Sequence, residues 1–305
     1  MSLGAGSLSG NAVNQVFFFI LAICLFLLGV ITFLMVYFVI RYRKGRNPHP
    51  ADVAGNFWLE LGWTVAPIIL VLVMFYYGTT GFDFLKKVPP GAMAVKVTGR
   101  QWSWLFEYDK GVRNSSLRVP RGKPVKLLIR SEDVIHSFYV PAFRVKQDAV
   151  PGMTTQLWLQ ATETGTFDIF CSEYCGLEHA HMRSRLIVLP QEEFDRWYQS
   201  RLQGLSGGGP PSGAELYEVK GCVACHSIDG SPRVGPTFKG LIGKSETVVR
   251  NGVERRVAVD EAFVRNYILN PNVDAVKGFP PIMPHVNMTD AELEAIVKYL
   301  ATLKG

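Results

Sequence analysis

Charge is scarce in this chain. Of 305 residues, 19% are Asp, Glu, Lys or Arg, and the net charge is only +6. With 48% hydrophobic residues, this excludes disorder as the general state, because ample apolar surface is available to offset the entropy of ordering. Cysteine is also sparse: five are spread along the whole length, which excludes a disulfide-framework mini-protein. No segment is strongly basic. Residues 1–91 carry six Lys/Arg against three Asp/Glu, residues 92–203 fifteen against twelve, and residues 204–305 eleven against eleven. That distribution excludes a nucleic-acid partner. The first 15 residues contain no Lys or Arg, which argues against a cleaved signal peptide, whose first region is basic.

Long hydrophobic runs are present. Mean hydropathy is +0.14, high for a chain with no membrane contact. Residues 16–40 contain no charge, and as a helix they reach about 37 Å, enough to cross a bilayer with some tilt. Leu21-Ala22-Ile23-Cys24 faintly resembles a lipoprotein cleavage box, but the bulky Ile23 and the missing basic region argue against it, leaving Cys24 as a small hydrophobe in lipid. A second apolar stretch covers residues 57–78, with one acid, Glu60, and one proline, Pro67. Arg41, Arg43, Lys44 and Arg46 lie between the two and place that loop in the cytoplasm. The expectation is a two-helix transmembrane hairpin over residues 1–91 carrying more than 200 exported residues. His49, among prolines in the loop, reads as solvated.

Residues 92–202 read as β structure. The runs 94–98, 126–130, 155–159 and 185–189 are short and rich in β-branched and apolar residues, and Pro120, Gly122, Pro124, Pro151, Gly152 and Gly165 break them. Such spacing predicts a sandwich or barrel. Within it, Cys171, Cys175, His179 and Met182 are spaced four, four and three apart, with His136 upstream. Two thiolates, imidazole and a thioether form a soft donor set that favours copper. A disulfide, or zinc on Cys171, Cys175, His136 and His179, remains open; neither uses Met182.

The run Cys-Ser-Glu-x-Cys-Gly-x-x-His-x-x-Met, with Asp-Val-x-His-Ser and Gln101-Trp102-Ser103-Trp104 before it, resembles cytochrome c oxidase subunit II over roughly residues 10–202. The resemblance implies a cupredoxin fold with a binuclear copper A center. Cys171 and Cys175 would bridge the two coppers, His136 and His179 would cap one each, and Met182 and the backbone carbonyl of Glu173 would be weak axial ligands. It further implies that the Glu173 side chain binds a magnesium ion shared with subunit I, that Trp102 receives electrons above the copper, and that Glu60 stands at the mouth of a proton channel in subunit I. An interfacial Glu near a helix end is the plainer reading of Glu60. His181 reads as a spectator.

Residues 203–213, rich in Gly, Ser and Pro, read as a flexible linker. Residues 214–305 then read as helical. Cys222-Val-Ala-Cys225-His226 is the attachment motif for c-type heme: two thiols can add to the vinyl groups, and His226 binds the iron. Met283, His285 and Met288 are candidates for the sixth ligand. Met283, in a proline-stiffened loop, is favoured, while Met288 sits just before a capping box at Thr289 and Glu292. The segment resembles an all-α class I cytochrome c over residues 212–305, and Gly235-Pro236 then matches the loop whose carbonyl orients the proximal imidazole. Tyr217 and Tyr299 read as packing between terminal helices.

The expected whole is a membrane-anchored, multidomain subunit II of a heme–copper terminal oxidase, placed in a bacterial cell membrane with its soluble domains on the periplasmic side. It would pass electrons from an external cytochrome or respiratory complex through heme c and copper A to subunit I, where oxygen is reduced and protons are pumped. Two rivals stand beside it: the electron-receiving subunit of a copper A nitric oxide reductase, and a membrane-anchored copper-delivery factor. His179, Met182, the Trp102 region and the heme motif speak against the latter.

Overall fold

The computed structural model describes residues 6–49, 51, 54–206 and 211–305. Two long helices open the chain. Helix α1 (Leu8–Arg41) is capped by Ser7, whose side chain accepts a hydrogen bond from the Gly10 amide, and it ends with Arg41 in its last turn, the favourable sign at a helix C-terminus. Helix α2 (Phe57–Lys86) is capped by Asn56, carries Glu60 in its first turn and runs through Pro67. Both are apolar on all sides and long enough to cross a membrane. They touch through Phe19 and Tyr77, with ring centroids 5.0 Å apart. Each helix is longer than its apolar run. The first polar turn of α1 is fixed to the soluble part, because the hydroxyls of Ser7 and Ser9 both donate to the Phe143 carbonyl.

The β region comprises β1 (Met93–Arg100), β2 (Ser103–Glu107), β3 (Arg113–Asn114), β4 (Leu117–Pro120), β5 (Pro124–Ser131), β6 (His136–Val140), β7 (Val145–Ala149), β8 (Thr155–Gln160), β9 (Gly165–Cys171) and β10 (Arg183–Leu189). These form two five-stranded sheets in the orders β3-β2-β1-β5-β8 and β4-β10-β9-β6-β7. The period-two pattern explains the layering: Val125, Leu127 and Ile129 of β5 alternate inward and meet Val95, Val97, Phe106, Phe138 and Leu186 in one buried core. Helix α3 (Gln191–Ser206) follows and seals one end of the sandwich by packing Phe194 and Trp197 against it, Trp197 lying edge-on to Tyr108 at 5.2 Å.

The C-terminal region comprises α4 (Gly213–Val219), β11 (Ser245–Arg250), β12 (Val253–Ala258), α5 (Glu261–Leu269), β13 (Ala275–Val276) and α6 (Asp290–Thr302). Helices α4 and α6 cross so closely that a Cβ on Gly213 would lie 2.4 Å from the Ala295 carbonyl oxygen. The capping box of Thr289 and Glu292 forms as its sequence predicts. The three strands add a small sheet to the helices, which the sequence reading did not foresee. Its turn is Asn251-Gly252, both with positive φ, the backbone that a tight hairpin needs. Helix α3 also reaches Ser206, so the stretch read as linker begins inside a helix and six residues separate α3 from α4. Of that stretch, residues 207–210 lie outside the described residues.

Candidate copper and heme sites

The sheet register builds the first site. Strand β6 begins at His136 and β9 ends at Cys171, with Phe138 paired to Cys171. The chain then loops through Cys175 and a single 3-10 turn at His179–His181 before β10 starts. Two backbone bonds close the loop onto the sheet: the Cys171 amide donates to Met182 O, and the Ser172 amide to Ser137 O. The donor atoms converge as a result. Cys171 Sγ lies 3.8 Å from Cys175 Sγ and 3.9 Å from His136 Nδ1. Cys175 Sγ lies 3.5 Å from His179 Nδ1 and 3.8 Å from Met182 Sδ. The Glu173 carbonyl oxygen is 3.1 Å from Cys171 Sγ. His136 and Met182 are fully buried, and Cys171 and Cys175 nearly so.

This arrangement suits a metal. An imidazole nitrogen about 2.0 Å and a thiolate about 2.3 Å from one metal lie roughly 3.5–4 Å apart, which is the spacing found. The protonation of the bare site points the same way. Burial opposes both thiolates. The His136 contact and backbone hydrogen bonds outweigh it at Cys171 and bring that thiol down to about 7, while burial and the neighbouring Cys171 thiolate push Cys175 up to about 12. Two adjacent thiols cannot both ionize cheaply without a cation between them, and a bound metal supplies one. The Cys171 and Cys175 sulfurs stand 3.8 Å apart, a metal-bridging separation and not that of a disulfide, about 2.05 Å.

Three supporting residues were not assigned roles from the sequence. The Asp133 carboxylate is 2.7 Å from His136 Nε2, which leaves Nδ1 to face the sulfurs. Burial opposes the charged imidazole, but Asp133 overrides it and raises His136 to about 8. A carboxylate three residues ahead of a ligand histidine was the available signal. Gly99 admits the imidazole: a Cβ there would meet His136 Cδ2 at 3.1 Å. Gly176, with φ of +115°, lets the ligand loop pass close to Gln101 and Trp102, where a Cβ would lie 3.0 Å from the Gln101 side-chain amide nitrogen. Trp102 is buried, and its indole N–H donates to Cys175 O at 3.1 Å, beside the Gln101 amide at 2.8 Å. The Glu173 side chain is exposed, His181 pairs with Glu178 at 2.8 Å, and Glu60 is exposed in the first turn of α2.

The second site is a cavity of about 730 Å³ lined by Cys222, Cys225, His226, Gly235, Pro236 and Met283, among others. His226 Nδ1 is 2.7 Å from the Pro236 carbonyl oxygen, which fixes the proton on Nδ1 and leaves Nε2 as a ligand atom. Burial lowers the His226 pKa, so the ring is neutral, as a metal ligand must be. The imidazole stacks on Phe238 at 4.3 Å. Gly235 is required by close approach, since a Cβ would come within 2.6 Å of His226 Cε1. Tyr217 donates its hydroxyl to His226 O at 2.6 Å, a bond that goes beyond the packing role read for it. Met283, His285 and Met288 all line the cavity. The Met283 backbone is clamped from both sides by Asn272, which accepts from its amide at 3.0 Å and donates to its carbonyl at 2.8 Å. The donor set and the enclosed volume fit a c-type heme.

Comparison with known proteins agrees with this geometry. Three family models match: the transmembrane domain of cytochrome c oxidase subunit II over residues 4–78, its periplasmic domain over residues 111–189, and cytochrome c over residues 212–304. Cytochrome c oxidase subunit 2 of Alkalihalophilus pseudofirmus is 32% identical over 301 residues, covering 93% of this chain and 86% of that one. An alternative cytochrome c oxidase subunit 2 of Bradyrhizobium diazoefficiens is 33% identical over 60% of this chain and 78% of its own. The crystal structure of the periplasmic domain of subunit II of cytochrome oxidase from Bradyrhizobium japonicum is 32% identical, covering 39% of this chain and 99% of that one at a TM-score of 0.37. The subunit II periplasmic domain implies copper A and the cytochrome c domain implies heme c. An all-β cupredoxin between two membrane-anchoring helices and a cytochrome c domain, in one chain with relatives of that name along nearly its full length, makes this protein a member of the cytochrome c oxidase subunit II family, an oxidoreductase subunit that works within a heme–copper oxidase.

Proposed function

We propose that this chain receives electrons for the oxidase, taking them at heme c and passing them through copper A to subunit I for oxygen reduction and proton pumping. The observation that carries the reading is the convergence of Cys171, Cys175, His136, His179 and Met182 within 3.5–3.9 Å steps, in the same chain as a heme-sized cavity behind Cys222, Cys225 and His226. Copper A and heme c supply one-electron carriers when bound. The protein residues hold and tune them. Cys171, Cys175, His136 and His179 would be the principal donors to the copper pair, with Met182 and the Glu173 carbonyl as weaker ones. Asp133 fixes the His136 tautomer. Cys222 and Cys225 would attach the heme, and His226 and Met283 would be the residues that ligate its iron. The Glu173 carboxylate, exposed beside the copper loop, is available to a magnesium ion shared with subunit I. Trp102 receives electrons above the copper, and Glu60 takes up protons at the end of α2 next to the basic loop. That loop supports a cytoplasmic hairpin turn, with the soluble domains on the periplasmic side of a bacterial cell membrane.

The test is the purified complex. It should contain two coppers and one covalent heme c for each copy of this chain, and it should consume oxygen. One copper, or zinc in its place, overturns the copper A assignment. Nitric oxide consumption without oxygen consumption assigns the chain to a nitric oxide reductase.

A further inference from the structure

The cytochrome region does not sit free of the copper domain. The turn between β1 and β2 meets the C-terminal end of α4 and the heme-attachment turn. Arg100 reaches across: its Nη2 donates to the Val219 carbonyl at the end of α4, and its Nε donates to Ser103 Oγ at 3.1 Å. A guanidinium at that position satisfies a carbonyl the helix cannot pair and opposes the negative end of its dipole. Gly221 follows with φ of +82°, and a Cβ on it would lie 2.5 Å from Ser103 Oγ. The Gly221 backbone therefore packs directly against the Ser103 side chain, one residue before Cys222. Two further contacts flank this point. Ser115 Oγ donates to Glu218 Oε2 at 2.9 Å, and Arg201 Nη1 pairs with Glu215 Oε1 at 3.0 Å.

The surfaces so joined carry the electron path. Cys225 packs against the buried cluster of the copper domain to which Trp102 belongs. Gln101, Glu132 and Asp133 of that domain line the same cavity as Cys222 and His226. Gln101 and Trp102 both donate to the Cys175 carbonyl. The wall of the heme cavity is thus separated from a candidate copper ligand by one hydrogen bond.

The geometry assigns to the β1–β2 turn, Arg100 to Ser103, the role of docking platform for the heme-attachment turn, with Arg100 as the positioning residue that sets the distance for transfer between the two centers. This rests on the electron-transfer reading above and deepens it. In the step served, one electron leaves reduced heme c, whose iron goes from ferrous to ferric, and the oxidized copper pair gains it. No covalent bond forms or breaks, and no proton is transferred. Arg100 stands in the wall of the heme cavity and acts through the α4 carbonyl it holds, not as a ligand of either center.

The experiment uses the full chain in its assembled oxidase, with heme c reduced by a light-triggered small-molecule donor. Heme c reoxidation and copper reduction are followed by absorbance. Arg100→Ala removes a charge-assisted bond and should slow the intramolecular step about tenfold, while the absorption spectra of both centers, which report their ligands, stay unchanged. Arg100→Lys, which keeps the charge without the two-ended reach, should fall between. A second variant fixes the contact instead: Ser115→Cys with Glu218→Cys, joined by a short thiol-reactive cross-linker, should transfer at the unmodified rate. An Arg100→Ala rate equal to that of the unmodified chain, or loss of transfer on cross-linking, overturns the platform. Failure of the underlying reading looks different, since the unmutated chain would then lack a binuclear copper spectrum or transfer no electron from heme c.

Discussion

Asp133 and Asn272 are not themselves among the proposed ligands, yet each holds a residue that is: Asp133 holds His136, and Asn272 the Met283 backbone. Asp133 holds Nε2 of His136 at 2.7 Å, so Asp133→Asn should leave the ligand count intact and weaken copper retention by about 10–100-fold, measured by competition with a chelator. Asn272→Ala removes both bonds to the Met283 backbone, worth about 1–3 kcal/mol together. The optical signature of methionine ligation should weaken and the heme c potential should drop, whereas unchanged values would show that the proline-rich loop holds itself. The ligand residues were legible because thiolate, imidazole and thioether at fixed spacing have few other uses. Their supports were not. Gly99, Gly176 and Asn272 act by what they leave room for or clamp across the fold, and no local pattern encodes a partner in another strand or loop.

Among the elements, the spans were readable from the length of their uncharged runs, and the strands from short β-branched stretches broken by Pro and Gly. The hairpin β11–β12 was overlooked, although Asn251-Gly252 between Val248-Val249-Arg250 and Val253 is a hairpin signal; its context of helical composition hid it. The sheet is pinned by a feature that sequence spacing could not show. Asp274 is 6% exposed and accepts from Arg250 Nε and Nη2 at 2.8 and 2.7 Å and from Arg255 Nη2 at 2.7 Å. Hydrogen bonding from Arg250 is the main influence holding the Asp274 carboxyl below the usual carboxylate range. A group whose folded pKa is depressed contributes stability above its unfolded pKa, about 3.9 for Asp, and loses it as pH falls through the folded value. Thermal melting of the heme-loaded chain should therefore show this contribution intact from neutral pH down to about 4 and fading below that. Asp274→Asn should melt lower at pH 7 and show a flatter acid limb. An identical acid limb in that variant would locate the acid sensitivity elsewhere. At the other end of the chain, Glu60 stands exposed in the first turn of α2, where its role depends on subunit I. Glu60→Gln should slow steady-state oxygen consumption while heme c reduction and both spectra stay unchanged, and unaltered turnover would leave Glu60 as an interfacial helix acid.

For the whole molecule, the order of electron flow follows from how the parts are joined. Six residues between α3 and α4 span at most about 20 Å when fully extended, so the cytochrome domain cannot travel far from the copper domain. A short tether of this kind raises effective concentration to about millimolar. Long-range steering is then unnecessary, which suits the charges, since residues 92–203 are net basic by three and residues 204–305 are neutral. The sequence reading gave the cytochrome a longer leash on which to swing. Helix α3 extends past its apparent boundary because its Phe194 and Trp197 anchor it to the sandwich. The proposed ligation by His226 and Met283 would keep the heme potential high, suited to passing electrons on. Heme c should accordingly be reduced first and copper A second, at a rate independent of protein concentration in stopped-flow mixing with the native donor. Removing residues 206–305 should leave copper A spectroscopically intact and make turnover depend on added cytochrome. Reduction of copper before heme c, or unchanged turnover with the native donor after truncation, would place electron uptake on the copper domain itself and leave the cytochrome domain without its proposed part in the path.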